Sequence, residues 1–230
     1  MKVLAIESSA VTASVAIMTE DTLIAEYTIN YKKTHSQTLL PMIDEICRMT
    51  ETDVSDIDIV AVSDGPGSFT GLRIGAATGK GIALAKDKPM VAVPTLEAMA
   101  YNLIGDKRLI CPVMDARRQH LYSGLYRFDD EKLVIIHEQC LISYKELVDM
   151  LNEKNEEVVF VGDGIDVAGD YIKENLKCRY SFSKPHIKTQ RASSVALAAI
   201  NMAKEGKTIN SDLMKPDYLR PSQAEREHNK

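Results

Sequence analysis

The sequence predicts an α/β protein built from two related lobes. Residues 2–7 form an apolar run, residues 12–18 alternate between apolar and polar side chains, and residues 22–30 favour a third strand. A helical pattern follows, and residues 58–63 then form a fully apolar run of the kind found in interior parallel strands. Because a second strand-rich half begins after residue 105, we expect two α/β lobes.

Apolar spacing and turn residues place the remaining elements. Ser36 is expected to cap the first helix and Ser68 the second, and Ser143 followed by Glu146 has the pattern of a capping box. The predicted helices cover residues 36–51, 68–85, 95–104, 143–153, 165–176 and 193–204, and the later strands cover 91–93, 109–114, 120–127, 132–136 and 157–161.

A polar break at residues 105–108 is the predicted domain boundary. The first lobe then covers residues 1–105 and is completed by a helix near 193–205. The second lobe covers residues 106–192, and residues 206–230 form a polar tail.

Composition and charge limit the classes of function. The 230 residues are 45% hydrophobic and 27% charged, as in an ordinary globular chain. A net charge of −5 disfavours a domain that binds nucleic acid by itself, since such domains use basic surfaces. The four cysteines include no C-x-x-C pair, which favours reduced thiols in a cytoplasmic protein. No stretch approaches the roughly 20 apolar residues that cross a bilayer, so no membrane partner is expected.

The glycine-rich segment from residue 63 to 85 is the first candidate for chemistry. Gly65 and Gly67 follow a strand, and Ser68 stands where a helix should begin, so the next amides could hold an anion. The functional interpretation is phosphate or nucleotide binding, and the alternative is a strand-to-helix turn that needs glycine. The spacing favours neither, because it matches no strict phosphate-binding motif.

Within the following helix, Gly71, Gly75 and Gly79 recur at every fourth position and fall on one face. Each glycine costs roughly 1 kcal/mol relative to alanine in a helix interior, so the flat face must serve a close approach. The approaching surface could be a partner helix or the protein's own sheet, and the pattern leaves both open.

The remaining candidates are weaker. Ser8 and Ser9, between the first two strands, could wrap phosphate or, less plausibly, act as nucleophiles, and Gly162 follows a later strand. Asp115 at a strand end could act as an acid beside Arg117 and Arg118, although such clusters are more often solvated hairpin tips. The five histidines include no i, i+4 pair, so no helical metal pair is predicted.

Five segments in order and spacing resemble one known family. They are IESSAVTASVAI, HSQTLLPMIDEI, SDGPGSFTGLRIG, VPTLEAMA and MDARRQHLYSGLY, from Met1 to about Tyr126, and PDYLRPSQAE extends the match weakly. On these motifs the chain resembles the bacterial TsaB (YeaZ) family, formerly grouped with the M22-type glycoproteases. The resemblance implies the two-lobed actin/Hsp70/sugar-kinase (ASKHA, RNase H-like) fold and a role in making threonylcarbamoyladenosine, t6A37, in tRNA.

The same resemblance implies that the catalytic metal site of the paralogous TsaD family is missing here. Its acidic pair falls on Val11 and Thr12, its H-x-x-x-H pair falls on Thr95 and Met99, and a late aspartate falls near Ala192. None of these side chains is a usual ligand for a divalent ion. We therefore expect no metal, no cofactor, no catalytic residue and no carbamoyl transfer by this chain alone.

The implied role is assembly. In the family, the helices matching residues 36–51 and 69–85 form a homodimer when the protein is alone and a heterodimer with TsaD, and the ATPase TsaE joins as a third partner. Contact with tRNA is then indirect. We expect the glycine face to be the contact surface, so that Gly75→Leu breaks binding without unfolding the chain. The expected interface residues are His35, Leu39, Gly71, Arg73, Gly75 and Gly79.

Two other functions stay open from the sequence. One is an ASKHA-type ATPase or small-molecule kinase with Ser8, Ser9, Gly65, Gly67, Ser68 and Gly162 around the phosphates, which could also survive as a vestigial nucleotide site. The other is a glycoprotease-like peptidase, for which no organised nucleophile or metal pair is evident.

Overall fold

The computed structural model describes residues Met1–Arg220, and the chain divides into two compact units. Among the described residues, unit 1 comprises Met1–Ala98 and residues 190–220, and unit 2 comprises Met99–Thr189. The boundary lies near residue 98, seven residues before the predicted one, because the helix after the fifth strand begins in one unit and ends in the other. Within the described residues, no helix has the length and apolarity to span a bilayer.

Unit 1 is built on a five-stranded mixed sheet. Its strands are β1 (Lys2–Glu7), β2 (Thr12–Thr19), β3 (Leu23–Asn30), β4 (Ile59–Gly65) and β5 (Met90–Pro94). The order is β3-β2-β1-β4-β5, with β1, β2 and β3 antiparallel and β1, β4 and β5 parallel. The predicted opening meander and the interior parallel strand are therefore confirmed.

Helices cover both faces of this sheet. The first, α1 (His35–Met49), and the second, α2 (Phe69–Ala85), share an apolar cluster with Leu4, Ile6 and Val62. The alanine-rich helix near the C-terminus, Ala192–Lys204, contacts β1 and β2. It lies on the opposite face, because its first amide donates to the Ser14 hydroxyl (3.0 Å), whose neighbours in β2 point to the α1 side.

Unit 2 repeats the plan with a second five-stranded sheet. It follows α3 (Thr95–Ala100), and its strands are β6 (Leu109–Asp115), β7 (His120–Asp129), β8 (Lys132–Ser143), β9 (Val158–Val161) and β10 (Tyr180–Phe182), in the order β10-β9-β6-β7-β8. Its helices are α4 (Tyr144–Lys154), α5 (Ile165–Asn175) and α6 (Pro185–Lys188), and the helix of residues 192–204 is α7. The predicted α/β class is thus confirmed.

Local capping signals were mostly sufficient to place helix ends. The Ser68 hydroxyl accepts from the Gly71 amide (3.2 Å), and Ser143 with Glu146 forms the predicted capping box. Ser36 is not a cap, because α1 begins one residue earlier at His35. Strand β10 and the four-residue α6 were not predicted, since elements this short carry too little periodicity.

The C-terminal strap (Thr208–Arg220) is packed onto unit 1 rather than forming the predicted polar tail. Ile209 exchanges backbone hydrogen bonds with Met90 (2.8 and 2.9 Å), and Met214 is 2% exposed in the unit 1 core. Residues 221–230, the rest of the predicted tail, lie outside the described residues.

Candidate docking face

The turn between β1 and β2 packs directly on the beginning of α2. The Ser9 carbonyl accepts from the Ser68 amide (2.6 Å), and the Ser8 hydroxyl donates to the Gly71 carbonyl (3.0 Å). Both serines are fully buried. The two segments that the sequence offered separately for phosphate binding are therefore bonded to each other.

The glycine row of α2 faces the protein's own sheet. A Cβ added at Gly71 would lie less than 3.0 Å from the Ser8 carbonyl oxygen, one at Gly75 would meet the Ser8 hydroxyl, and one at Gly79 would meet Val62. All three glycines are buried. The prediction that they form the partner surface is wrong, and intramolecular packing, the alternative that the sequence left open, is what the structure has.

His35 and Leu39, the two α1 residues expected at the interface, are also buried. His35 is 9% exposed, and its Nε2 lies 2.8 Å from the Ala10 carbonyl, where it joins the start of α1 to the β1–β2 turn. Leu39 is 1% exposed within the unit 1 core. Among the six predicted interface residues, only Arg73 is exposed.

The space beside the remaining glycines of the predicted nucleotide site is likewise filled by other parts of the chain. Gly65 has φ +133°, and an added Cβ would overlap the Asp217 carbonyl of the C-terminal strap. Gly67 abuts the Ser9 carbonyl in the same way. Gly162 belongs to unit 2 and packs against Val113. At these glycines the backbone of another segment lies too close to leave room for a side chain.

Two carboxyl groups, the buried Glu7 and the half-buried Asp64, lie at the ends of β1 and β4. Glu7 is 1% exposed; burial raises its pKa, although the Ser9 amide donates to it (2.6 Å). Burial, reinforced by the nearby Asp217 and Glu97, raises the pKa of Asp64 to about 7. Raised carboxyl pKa values mark catalytic acids in many enzymes. Here the strap is bonded to the same residue, because the Asp217 amide donates to the Asp64 backbone carbonyl (2.7 Å).

The positions that match the TsaD metal ligands do not fit a divalent ion. Thr95 and Met99 are 0% and 1% exposed, and Val11 is an exposed apolar side chain. Across Met1–Arg220, no three histidine, cysteine or carboxylate side chains are grouped closely enough to bind a metal. Neither threonine nor methionine nor valine is a usual ligand for such an ion.

The Asp115 carboxylate binds to groups of its own hairpin. It accepts from the Arg117 amide (2.7 Å) and pairs with the Arg117 guanidinium (3.2 Å). Arg117, Arg118 and Gln119 all have positive φ angles. The segment matches the solvated hairpin tip that the sequence analysis preferred over an acid site.

The outward surface of α2 presents two small residues and one leucine to solvent beside a threonine and an arginine. Its exposed stripe lies opposite the buried glycines, and the neighbouring α1 adds Leu40, which is 58% exposed. The exposed stripe of α2 consists of Thr70, Arg73, Ala77, Gly81 and Leu84. We call this stripe together with Leu40 the docking face.

The C-terminal strap borders the docking face. Lys80 donates to the carbonyls of Asp212 and Met214 (both 3.3 Å). Tyr218 stacks on Phe69 with ring centroids 4.5 Å apart. Phe69, Asp217 and Tyr218 were not predicted from the sequence. The one signal for them was the segment PDYLRP, but the residue that Tyr218 contacts lies 145 positions away along the chain.

Comparison with known proteins gives a consistent family. The model of the TsaD family, tRNA N6-adenosine threonylcarbamoyltransferase, matches residues 22–228. The tRNA threonylcarbamoyladenosine biosynthesis protein TsaB of Bacillus subtilis is 32% identical over 98% of this chain and 96% of its own, and that of Escherichia coli is 32% identical over 96% and 95%. The structure of YeaZ from Pseudomonas aeruginosa superposes with a TM-score of 0.82 at 22% identity, covering 95% of this chain and 99% of that one.

Proposed function

Since this chain belongs to the TsaB (YeaZ) family of tRNA threonylcarbamoyladenosine biosynthesis proteins, we propose that it acts there as a non-catalytic subunit that docks a TsaD-type transferase on the docking face. The observation that carries the proposal is the exposed stripe of α2. It combines the small residues Ala77 and Gly81 with the exposed Leu84 at its end, and the neighbouring helix α1 carries the exposed Leu40.

The shape of this stripe suits a partner helix. Ala77 and Gly81 leave the backbone of α2 open to close approach, because neither projects beyond a methyl group. Leu84 is 69% exposed and Leu40 is 58% exposed, so both would lose unfavourable contact with water in a complex. Burial of such clustered apolar side chains is a usual source of affinity between subunits.

The non-catalytic part of the proposal rests on what fills the expected site. The β1–β2 turn is bonded to α2 through Ser8 and Ser9, and the strap lies against Gly65. This packing places protein atoms against the serines and glycines that would have to bind phosphates. We therefore assign the catalytic step to the partner subunit. This chain would hold that subunit in its active arrangement.

The wider assembly is inferred from the family. A homodimer formed through the same face would compete with the transferase, and a TsaE-type ATPase would join the finished heterodimer. We place the protein in the cytoplasm, where tRNA is modified, with tRNA reaching it through the complex.

Replacing Ala77 by arginine tests the docking face. The new side chain would stand where a partner helix must approach, so binding to the transferase subunit should weaken by about 100-fold or more, while the melting temperature stays unchanged because Ala77 is exposed. Val167→Arg, at an exposed apolar position of α5 in unit 2, is the matched control and should bind normally. The measurements are calorimetric titration and t6A yield in a reaction with the transferase, the ATPase and the carbamoyl-adenylate synthase.

Normal binding by Ala77→Arg would place the docking surface elsewhere. A t6A yield that does not depend on adding this chain would reject the subunit role altogether.

A further inference from the structure

Arg73 is an exposed arginine whose guanidinium is held from two sides. Its Cζ lies 4.0 Å from the centre of the Phe69 ring, and its Nε donates to the Tyr218 hydroxyl (3.0 Å). Phe69 and Tyr218 stack on each other, so helix and strap form one aromatic support. These contacts use the face and the Nε edge of the guanidinium, and they leave the Nη1 and Nη2 groups for another acceptor.

Nothing in the described chain supplies that acceptor. Between Met1 and Arg220, no carboxylate lies within ion-pair distance of Arg73, and the Tyr218 hydroxyl is its hydrogen-bond partner. Other arginines of the chain do pair with carboxylates: Arg48, Arg108, Arg117, Arg127 and Arg191. Arg73 is therefore oriented by aromatic rings at the border of the docking face, and within Met1–Arg220 no carboxylate pairs with its donor fork.

We propose that Arg73, held by Phe69 and Tyr218, is the receptor for a carboxylate side chain of the docked transferase subunit, and that the C-terminal strap is thereby part of the docking face. This inference rests on the proposed function. Two parallel Nη donors match the two oxygens of a carboxylate, which makes such contacts short and directional. Because the side chain is already ordered, it loses little conformational entropy when the partner binds.

A protein carboxylate fits this position better than an RNA phosphate. Asp217 precedes Tyr218 in the strap and lies against Asp64, and the chain carries a net charge of −5. RNA binding depends on many contacts between basic side chains and phosphates. The negative charge around Arg73 disfavours such a set of contacts, because it repels the RNA backbone. A single carboxylate within hydrogen-bonding distance gains the two directed bonds and can be screened from water by the apolar residues beside it.

The test measures the dissociation constant of the complex with the transferase subunit for three variants. Arg73→Glu should raise it about 100-fold or more, because two carboxylates would then face each other. Arg73→Lys should raise it about 10-fold, since lysine keeps the charge but lacks the planar fork. Tyr218→Phe keeps the ring stack and loses the hydroxyl, so it should raise the constant by about 3-fold to 10-fold.

Two controls separate this contact from other effects. Arg179→Lys, at an exposed arginine of unit 2, should bind as the wild type does. A transferase variant in which one aspartate or glutamate is replaced by arginine should restore binding to Arg73→Glu, and that rescue would identify the carboxylate.

The outcomes distinguish this inference from the proposed function. Unchanged affinity in Arg73→Glu and Arg73→Lys, together with loss of binding in Ala77→Arg, would overturn the carboxylate contact and leave the docking role standing. If the wild-type chain does not bind the transferase, both proposals fail. If Arg73→Glu leaves subunit affinity intact but weakens binding of unmodified tRNA to the complex, the acceptor is an RNA phosphate and this inference is wrong.

Discussion

Replacing Gly71 by alanine is expected to lower the free energy of unfolding by about 3 kcal/mol or more, the upper range for overpacking a well-packed site. The added Cβ would lie under 3.0 Å from the Ser8 carbonyl oxygen and 3.1 Å from the His35 ring. The first obstacle is backbone, and the Ser8 hydroxyl already donates to the Gly71 carbonyl, so neither α2 nor the turn can move without losing bonds. Urea unfolding followed by circular dichroism measures the change.

Gly81→Ala is the matched control, because Gly81 lies on the same helix with nothing within 4 Å of the added Cβ. Alanine is the better helix former by roughly 1 kcal/mol, so this variant should be more stable than the wild type. Equal stability of the two variants would mean that α2 does not lie on the β1–β2 turn as described. The same packing changes the expected effect of Gly75→Leu. We expect that variant to unfold, because the leucine side chain would overlap the Ser8 hydroxyl.

Replacing Asp64 by asparagine is expected to change how stability depends on pH. Burial, with Asp217 and Glu97 nearby, raises the pKa of Asp64 from 3.8 to about 7. The wild type is therefore stabilised below about pH 4, where Asp64 is protonated in both states, and loses that stability as the pH rises toward 7. Asparagine stays neutral at every pH. The free energy of unfolding of Asp64→Asn should therefore rise relative to that of the wild type by about 2 to 3 kcal/mol between pH 5 and pH 8.

Asp170→Asn is the control for Asp64→Asn. Asp170 is exposed, and hydrogen bonding to Lys173 lowers the pKa of its carboxyl, so it is ionised throughout this pH range and its variant should show a flat difference. Asp217→Asn should lower the pKa of Asp64, which carbon-detected titration of the carboxyl group would follow. Parallel pH profiles for the wild type and Asp64→Asn would show that the strap does not bury Asp64.

Local residue patterns were sufficient wherever neighbours in the chain decide the structure. The apolar run of β1, the alternation in β2, the Ser68 cap and the Ser143–Glu146 capping box needed no distant partner, and each lies where the sequence predicted it. The absence of metal-binding side chains at Thr95 and Met99 was equally local, since it depends on residue type alone.

Distant contacts decided the placement of the docking face. The spacing of Gly71, Gly75 and Gly79 determined that one face of α2 must approach something closely, but spacing says nothing about which surface lies there. Folding brought the β1–β2 turn and β4 against that face and left Ala77 and Gly81 exposed to solvent. The support of Arg73 by Tyr218 joins residues 145 positions apart, and such a contact exists only after the strap has packed across the helix.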